Sequence, residues 1–216
     1  MPLLLVDLDN TLLDRDAAFR QAVTEFVTAH ALPLDDVAWV VEFDASGHRP
    51  RAAVAAALLD RYPDLDPHVV RDLLDNNAAN LVTLAETTRT ALRRANALGW
   101  TPVIVTNGRV HQQETKIKVT GLDREVAGWV VSEGVGIAKP AEAIFARAAA
   151  AVGARLADGG WVVGDSPTAD IGGADGIGYP SVWLALGRTW PAELAYRPTR
   201  VADDVSTAIH VVLETD

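Results

Sequence analysis

Short apolar runs that end in polar residues recur along the chain and alternate with segments of helical periodicity. The first run is unbroken and predicts a strand over about residues 3–7, a pattern typical of a strand buried on both faces of a parallel sheet. Further strands are predicted over 102–106, 128–132, 161–163 and 181–186, and helices over 86–98, 112–119, 141–152, 170–174 and 204–213. This alternation predicts an α/β fold with a doubly wound parallel sheet.

The region between the first and second strands has a different pattern. Apolar residues at helical spacing predict helices over 16–30, 34–43, 51–61 and 67–80, and residues 44–50 form a loop rich in Ser, Gly and Pro. Nothing between about 14 and 85 indicates a strand. We therefore expect two domains: a core from residues 1–13 and 86–216, and an inserted all-helical domain from residues 14–85.

Composition and charge exclude several classes of protein. The chain has 216 residues, a net charge of −10 at pH 7 and no cysteine. The acidic balance argues against nucleic acid as a partner, because phosphate backbones need a basic surface. No basic segment precedes the first apolar run, and no apolar stretch approaches the roughly 20 residues of a membrane span. The prediction is a cytoplasmic protein with no membrane association and no thiol chemistry.

Polar side chains follow four of the predicted strands or the loops after them. They are Asp7, Asp9 and Thr11; Thr106 and Asn107; Lys139; and Asp165 and Asp170. Open parallel sheets bind ligands at the carboxyl ends of their strands, so these groups are expected to meet at one edge. Carboxylates suit Mg²⁺, and an ammonium with free backbone amides suits a phosphoryl group. A carboxylate beside such a phosphate can act as a nucleophile.

Each of these residues also has a simpler interpretation. Asp7 could open a calcium-binding loop, but such a loop needs Gly at its sixth position and Glu at its twelfth, where Leu12 and Ala18 stand. Lys139 could be a solvated loop residue, and Asp170 could only cap its helix. The catalytic interpretation is favoured because the groups converge.

The four segments resemble the motifs of the haloacid dehalogenase superfamily, in order and at about the expected spacing. The matching segments are Asp7–Thr11, Val105–Gly108, Ser132–Phe145 and Val163–Ala174. The helical insertion is similar to the helical cap of that family, of the C1 type. The resemblance implies a Rossmann-like core with a cap that closes over the site.

The resemblance also implies roles. Asp7 would be the nucleophile that attacks phosphorus, and Asp9 the acid for the leaving alcohol and then the base that activates water. Lys139 would neutralise charge between the phosphate and Asp7, while Thr106 and the Asn107 amide would bind phosphate oxygens. Mg²⁺ would be held by Asp7, Asp165 and the backbone carbonyl of Asp9, with Asp170 either ligating the metal or orienting a metal-bound water.

Asp9 separates the activities within this family. The dehalogenases that gave the family its name lack an acid two residues after the nucleophile, because a halide leaves without a proton and an alkoxide needs one. Asp9 therefore favours phosphoryl transfer over dehalogenation. With this motif set the resemblance implies, as the commoner outcome, a Mg²⁺-dependent phosphatase acting on a small phosphorylated metabolite. A phosphomutase and a non-catalytic binding or regulatory protein on the same fold are the alternatives.

The inserted domain offers fewer indications. His48, Arg49 and Arg51 lie in or beside its Gly- and Pro-containing loop and could contact an anionic part of the substrate. The alternative is a solvated loop with an arginine at a helix start. The identity of the ester stays open, as does the choice between a monomer and a homodimer.

Overall fold

The computed structural model describes residues 1–215, apart from the side chain of Asn77. The chain divides into two compact units, one formed by residues 1–13 together with the chain from residue 84 onward, and the other by residues 14–83. Each unit has its own apolar core. No helix within residues 1–215 combines the length and the apolar composition needed to cross a membrane.

The first unit is built on a parallel sheet of six strands in the order β3-β2-β1-β4-β5-β6. The strands are β1 (Leu3–Val6), β2 (Thr101–Thr106), β3 (Gly128–Val131), β4 (Gly160–Gly164), β5 (Ser181–Leu184) and β6 (Arg200–Ala202). The order reverses direction at β1, which lies between β2 and β4. The predicted doubly wound sheet is confirmed.

The second unit contains the first five helices, and no strand occurs among residues 14–83. They are α1 (Arg15–Ala29), α2 (Asp36–Asp44), α3 (Arg51–Arg61), α4 (Pro67–Asp72) and α5 (Ala78–Leu81), with a π-helical turn over Leu73–Asn77. Apolar residues such as Phe19, Val40 and Leu58 form its core. A buried ion pair joins Arg15 to Asp44 at 2.5 Å.

The remaining helices belong to the first unit. They are α6 (Glu86–Ala97), α7 (Val110–Thr120), α8 (Ser132–Val135), α9 (Glu142–Ala151), α10 (Gly172–Gly176) and α11 (Val205–Leu213), with a π-helical turn over Pro167–Ile171 before α10. Short 3₁₀ turns cover Leu122–Arg124 and Leu156–Asp158.

Helices cover both faces of the sheet, and they shield the wholly apolar strand β1 from water on each side. All four residues of β1 are buried. Leu3 and Leu5 pack with Phe145 of α9 on one face. Successive side chains of a strand alternate between faces, so Leu4 and Val6 point to the other face. There α6 contacts β2, and α11 contacts β4 and β5.

Two elements of this unit were missed by the sequence analysis. β6 is an edge strand of three residues, two of them exposed, which is too short to show a period of two. No helix is predicted directly after β3, yet the segment there begins with α8, a single helical turn of four residues. Both elements depend on neighbouring structure for their stability, since so short a segment has little propensity of its own.

Candidate active site

Functional side chains predicted from separate motifs come together at the carboxyl edge of the sheet. Asp7 follows β1, Thr106 is the last residue of β2, and Asp165 follows β4. These three strands are neighbours, and parallel strands end at the same edge. Asp170 lies in the π-helical turn after β4, and Lys139 precedes α9. The site thus gathers groups from four stretches of the chain.

Lys139 lies at the centre of this group. Its ammonium donates to Asp7 at 2.6 Å and to Asp170 at 2.7 Å, and only 2% of its side chain is exposed. The Asn107 side chain holds the backbone of Lys139 from both sides: its Oδ1 accepts from Lys139 N at 2.9 Å, and its Nδ2 donates to Lys139 O at 3.1 Å. The side chain of Asn107 thereby fixes the backbone position of Lys139.

Three carboxylates at this edge form a cluster suited to a cation. Oxygen atoms of Asp7, Asp165 and Asp170 all lie within 4.8 Å of one another. Carboxylate oxygens are ligands that Mg²⁺ and similar hard cations prefer, whereas zinc in structural sites favours sulfur and nitrogen. The residues present therefore fit a bound Mg²⁺.

The cluster holds three carboxylates around the single ammonium of Lys139, and this affects their pKa values. Burial raises the pKa of Asp7 to about 8; Lys139 opposes the rise, and Asp170 and Asp165 add to it. Burial also raises the pKa of Asp165 to about 6, with Asp170 adding to the rise and Arg188 opposing it. The pKa of Lys139 lies above its ordinary value, because attraction by Asp170 and Asp7 outweighs the opposing effect of burial. Excess buried negative charge is what a divalent cation would offset.

Asp165 is oriented by residues on and after β5. The Arg188 guanidinium donates to Asp165 Oδ2 at 3.0 Å and to its backbone oxygen at 2.8 Å. The indole of Trp183 donates to the same backbone oxygen at 2.9 Å. Trp183 in turn packs edge-on against Trp190, with ring centroids 5.0 Å apart. The loop that carries Asp165 is thereby fixed to the sheet.

The carboxylate of Asp170 lies so close to the end of β4 that the last residue of the strand, Gly164, has no room for a side chain. The carboxylate of Asp170, 1% exposed, accepts from Lys139 and from Ser166 N at 2.9 Å. A Cβ at Gly164 would lie 2.3 Å from Cγ and Oδ2 of Asp170, far inside contact distance.

We expect Gly164→Ala to displace the Asp170 carboxylate and so weaken metal binding. The free energy of unfolding should fall by about 1–3 kcal/mol, as in other overpacked sites, which urea denaturation would measure. Gly176→Ala is the matched control, because a Cβ there meets nothing within 4 Å. Unchanged stability of the Gly164 variant would contradict the steric argument.

The carboxylate of Asp9 is held by two residues of α7. Lys116 Nζ lies 2.7 Å from each carboxylate oxygen of Asp9. Gln113 Nε2 donates to Asp9 Oδ2 at 3.1 Å and to Thr106 Oγ1 at 2.6 Å. Lys116 and Gln113 have no role predicted from the sequence. The available signal was their spacing of three on a helix, which places both on one face.

The three residues predicted as substrate contacts lie in the second unit. Arg49 donates to the carbonyl of Phe43 at 2.5 Å, and its guanidinium stands 4.0 Å from the centroid of the Phe43 ring. Arg51 donates to the carbonyl of Leu74, and His48 is exposed. Both arginines thus have partners within their own unit.

Comparisons with known proteins agree with this geometry. The family model of the haloacid dehalogenase-like hydrolases matches residues 1–178. The glyceraldehyde 3-phosphate phosphatase of Pyrococcus furiosus is 27% identical, over 96% of this chain and 90% of its own length.

Two solved structures show the same fold. A HAD hydrolase of Bacillus subtilis bound to magnesium superposes with a TM-score of 0.79 at 23% identity, over 98% of each chain. L-2-haloacid dehalogenase of Xanthobacter autotrophicus, with chloropropionic acid covalently bound, gives a TM-score of 0.74 at 16% identity over the full length of both. These neighbours share the fold and do not decide the chemistry. Since its family model covers most of the sequence, the chain belongs to the haloacid dehalogenase-like hydrolases, as its four motifs indicated.

Proposed function

We propose that the protein is a Mg²⁺-dependent phosphatase that hydrolyses a small phosphomonoester through an aspartyl-phosphate on Asp7. The observation that carries the proposal is the pair of carboxylates after β1, each held by a different lysine. Asp7 contacts Lys139 at 2.6 Å, and Asp9 contacts Lys116 at 2.7 Å. One carboxylate is available to attack, and the other to move protons.

In the first step, an oxygen of Asp7 forms a bond to phosphorus and the bond from phosphorus to the ester oxygen breaks. Asp9 in its protonated form gives its proton to the leaving alkoxide. In the second step, Asp9 takes a proton from water, which attacks phosphorus and releases Asp7 with inorganic phosphate. Lys139, the hydroxyl of Thr106 and the backbone amide of Asn107 bind the phosphoryl oxygens, which carry the developing charge.

Mg²⁺ would be held by Asp7, Asp165, Asp170 and the backbone carbonyl of Asp9. When bound, it neutralises charge on the phosphate and on the attacking carboxylate. The oxygen-rich cluster and its excess negative charge support this assignment.

Asp9 and the curated relative together favour phosphate esters over halides. Expulsion of a halide needs no acid, so an aspartate two residues after the proposed nucleophile indicates an alcohol as the leaving group. The name of the Pyrococcus relative states a phosphorylated small molecule as its substrate. We propose the same class for this chain, with the helical unit as a cap and its loop residues His48, Arg49 and Arg51 as candidate substrate contacts.

A panel of small phosphomonoesters tests the proposal. Phosphate release should require Mg²⁺, stop with excess chelator and be absent in Asp7→Asn. If the wild type releases phosphate from no ester, then a phosphomutase or a binding protein becomes the better hypothesis. Asp9→Asn separates those two, because a catalyst should lose turnover and a binding protein should keep its ligand.

Magnesium affinity should depend on pH in a defined direction. Below pH 8 the carboxyl of Asp7 holds a proton in the metal-free protein, and below pH 6 that of Asp165 does as well. Mg²⁺ must displace these protons, so the apparent Kd should fall as pH rises from 6 to 8, by up to about tenfold per unit for each proton released. Calorimetry in two buffers with different ionisation enthalpies would count the protons; a Kd independent of pH would contradict the prediction.

A further inference from the structure

Lys116 is a buried lysine for which the proposed reaction has so far no use. It is 5% exposed and lies on α7. Its ammonium contacts both oxygens of Asp9 at 2.7 Å, and Asp9 is 107 residues away along the chain. Burying an ammonium is costly unless it is paired and hydrogen-bonded. The position of this lysine is therefore tied to the Asp9 carboxylate.

Gln113 completes the arrangement, and its orientation follows from that of Lys116. The ammonium donates to Gln113 Oε1 at 2.8 Å. An ammonium has no acceptor, so the amide oxygen must face Lys116 and the NH₂ group must point the other way. That group donates to Asp9 and to Thr106. One side chain thus connects the proposed proton donor to the proposed phosphate ligand.

The arrangement leaves the Asp9 carboxylate little rotational freedom. Three hydrogen bonds from two residues reach its two oxygens. Both donors stand on the same face of one helix, and the face is buried, since Gln113 is 2% exposed. A carboxylate held in this way is already oriented when the substrate arrives, which avoids a loss of rate from misplacement of a reacting group.

We propose that Lys116 and Gln113 are positioning residues that aim Asp9 for its proton transfers. The inference rests on the proposed phosphatase function. Lys116 and Gln113 do not touch the reacting atoms and act through Asp9. Gln113 also donates to the Thr106 hydroxyl and so fixes the position of that hydroxyl relative to Asp9. The competing interpretation is an ion pair that serves only the packing of α7.

A double-mutant cycle separates the two interpretations. Lys116→Met keeps the length of the side chain and removes the ammonium; Asp9, with 28% of its side chain exposed, keeps contact with solvent. If Lys116 acts through Asp9, we expect kcat to fall about 10- to 100-fold, a misplacement effect, with KM little changed. In an Asp9→Asn background the same substitution should change the residual kcat less than about threefold, because the effects of residues that act as a unit do not add.

The control is Lys118→Met, two residues along α7, whose side chain is 61% exposed and pairs only with Glu114 in the ion pairs of the described chain. It should leave kcat unchanged. If Lys116→Met does not fold, Gln113→Glu takes its place, since it keeps the size of the side chain but sets a negative charge against Asp9. It should show the same dependence on the Asp9 background.

Equal losses in the wild-type and the Asp9→Asn backgrounds would overturn the positioning role, as would full activity of Lys116→Met. A wild-type protein that hydrolyses no ester would instead refute the phosphatase function, and the inference with it. Turnover by the wild type, measured first, distinguishes the two failures.

Discussion

An Asp7→Asn variant is expected to lose turnover by at least about 10³-fold, because an amide oxygen is a poor nucleophile where the carboxylate forms the covalent intermediate. The free energy of unfolding, in contrast, should not fall. Burial raises the pKa of Asp7 from 3.8 to about 8, so the folded protein binds a proton at pH 7 that the unfolded chain releases. The neutral amide avoids that cost, and the free energy of unfolding of the metal-free variant should equal or exceed that of the wild type.

Phosphate release and urea denaturation at pH 7 would measure both effects in one preparation. Asp123→Asn is a suitable control, since it replaces an exposed acid of the same unit and should change neither quantity. Turnover near that of the wild type would refute Asp7 as the nucleophile. Loss of both activity and stability would show that the carboxylate supports the fold, contrary to the charge argument.

A Lys139→Met variant should lose activity and much of its stability, because it leaves Asp7 and Asp170 facing each other without their shared ammonium. Breaking a buried ion pair by removing one partner costs about 3–5 kcal/mol, and here one lysine serves two carboxylates at 2.6 and 2.7 Å. The free energy of unfolding without metal should therefore fall by that order at pH 8.

The loss of unfolding free energy in Lys139→Met should be smaller at pH 5 than at pH 8, because proton binding is coupled to folding. Without Lys139 the pKa of Asp7, which burial already raises to about 8, rises further above the unfolded value, so at pH 8 the folded variant keeps a proton on Asp7 that the wild type has partly released. Stability is then greatest at low pH and declines as pH rises towards the folded pKa. Urea titrations at pH 5 and pH 8 test this, with Lys118→Met as the exposed control; an equal loss at both pH values would contradict it.

Much of the first unit could be predicted because its signals are local. The apolar residues of β1 are sufficient to indicate a strand buried on both faces. Asp7 and Asp165 directly follow strands that are neighbours in the sheet. Parallel strands must end at the same edge, so adjacency of these acids follows from chain topology and needs no knowledge of side-chain packing. The roles of these residues are implied by the resemblance of their motifs.

Contacts between distant segments could not be predicted in this way. The helical period places Gln113 and Lys116 on one face of α7, but Asp9 lies 104 and 107 residues from them, and no local pattern identifies it as their partner. Arg188 and Trp183 reach Asp165 only through the position of β5 and the loop after it.

By itself, the sequence determined the fold class, the helical insertion and the set of acids at the strand ends, because hydrophobic period and the alternation of strands and helices along the chain are properties of neighbouring residues. Only the tertiary structure decided which lysine holds which carboxylate, and that Gly164 leaves room for Asp170. It also decided how far burial shifts the pKa values of Asp7 and Asp165. These properties depend on distances of a few ångströms between groups far apart in the chain, which arise only when the sheet and its helices pack.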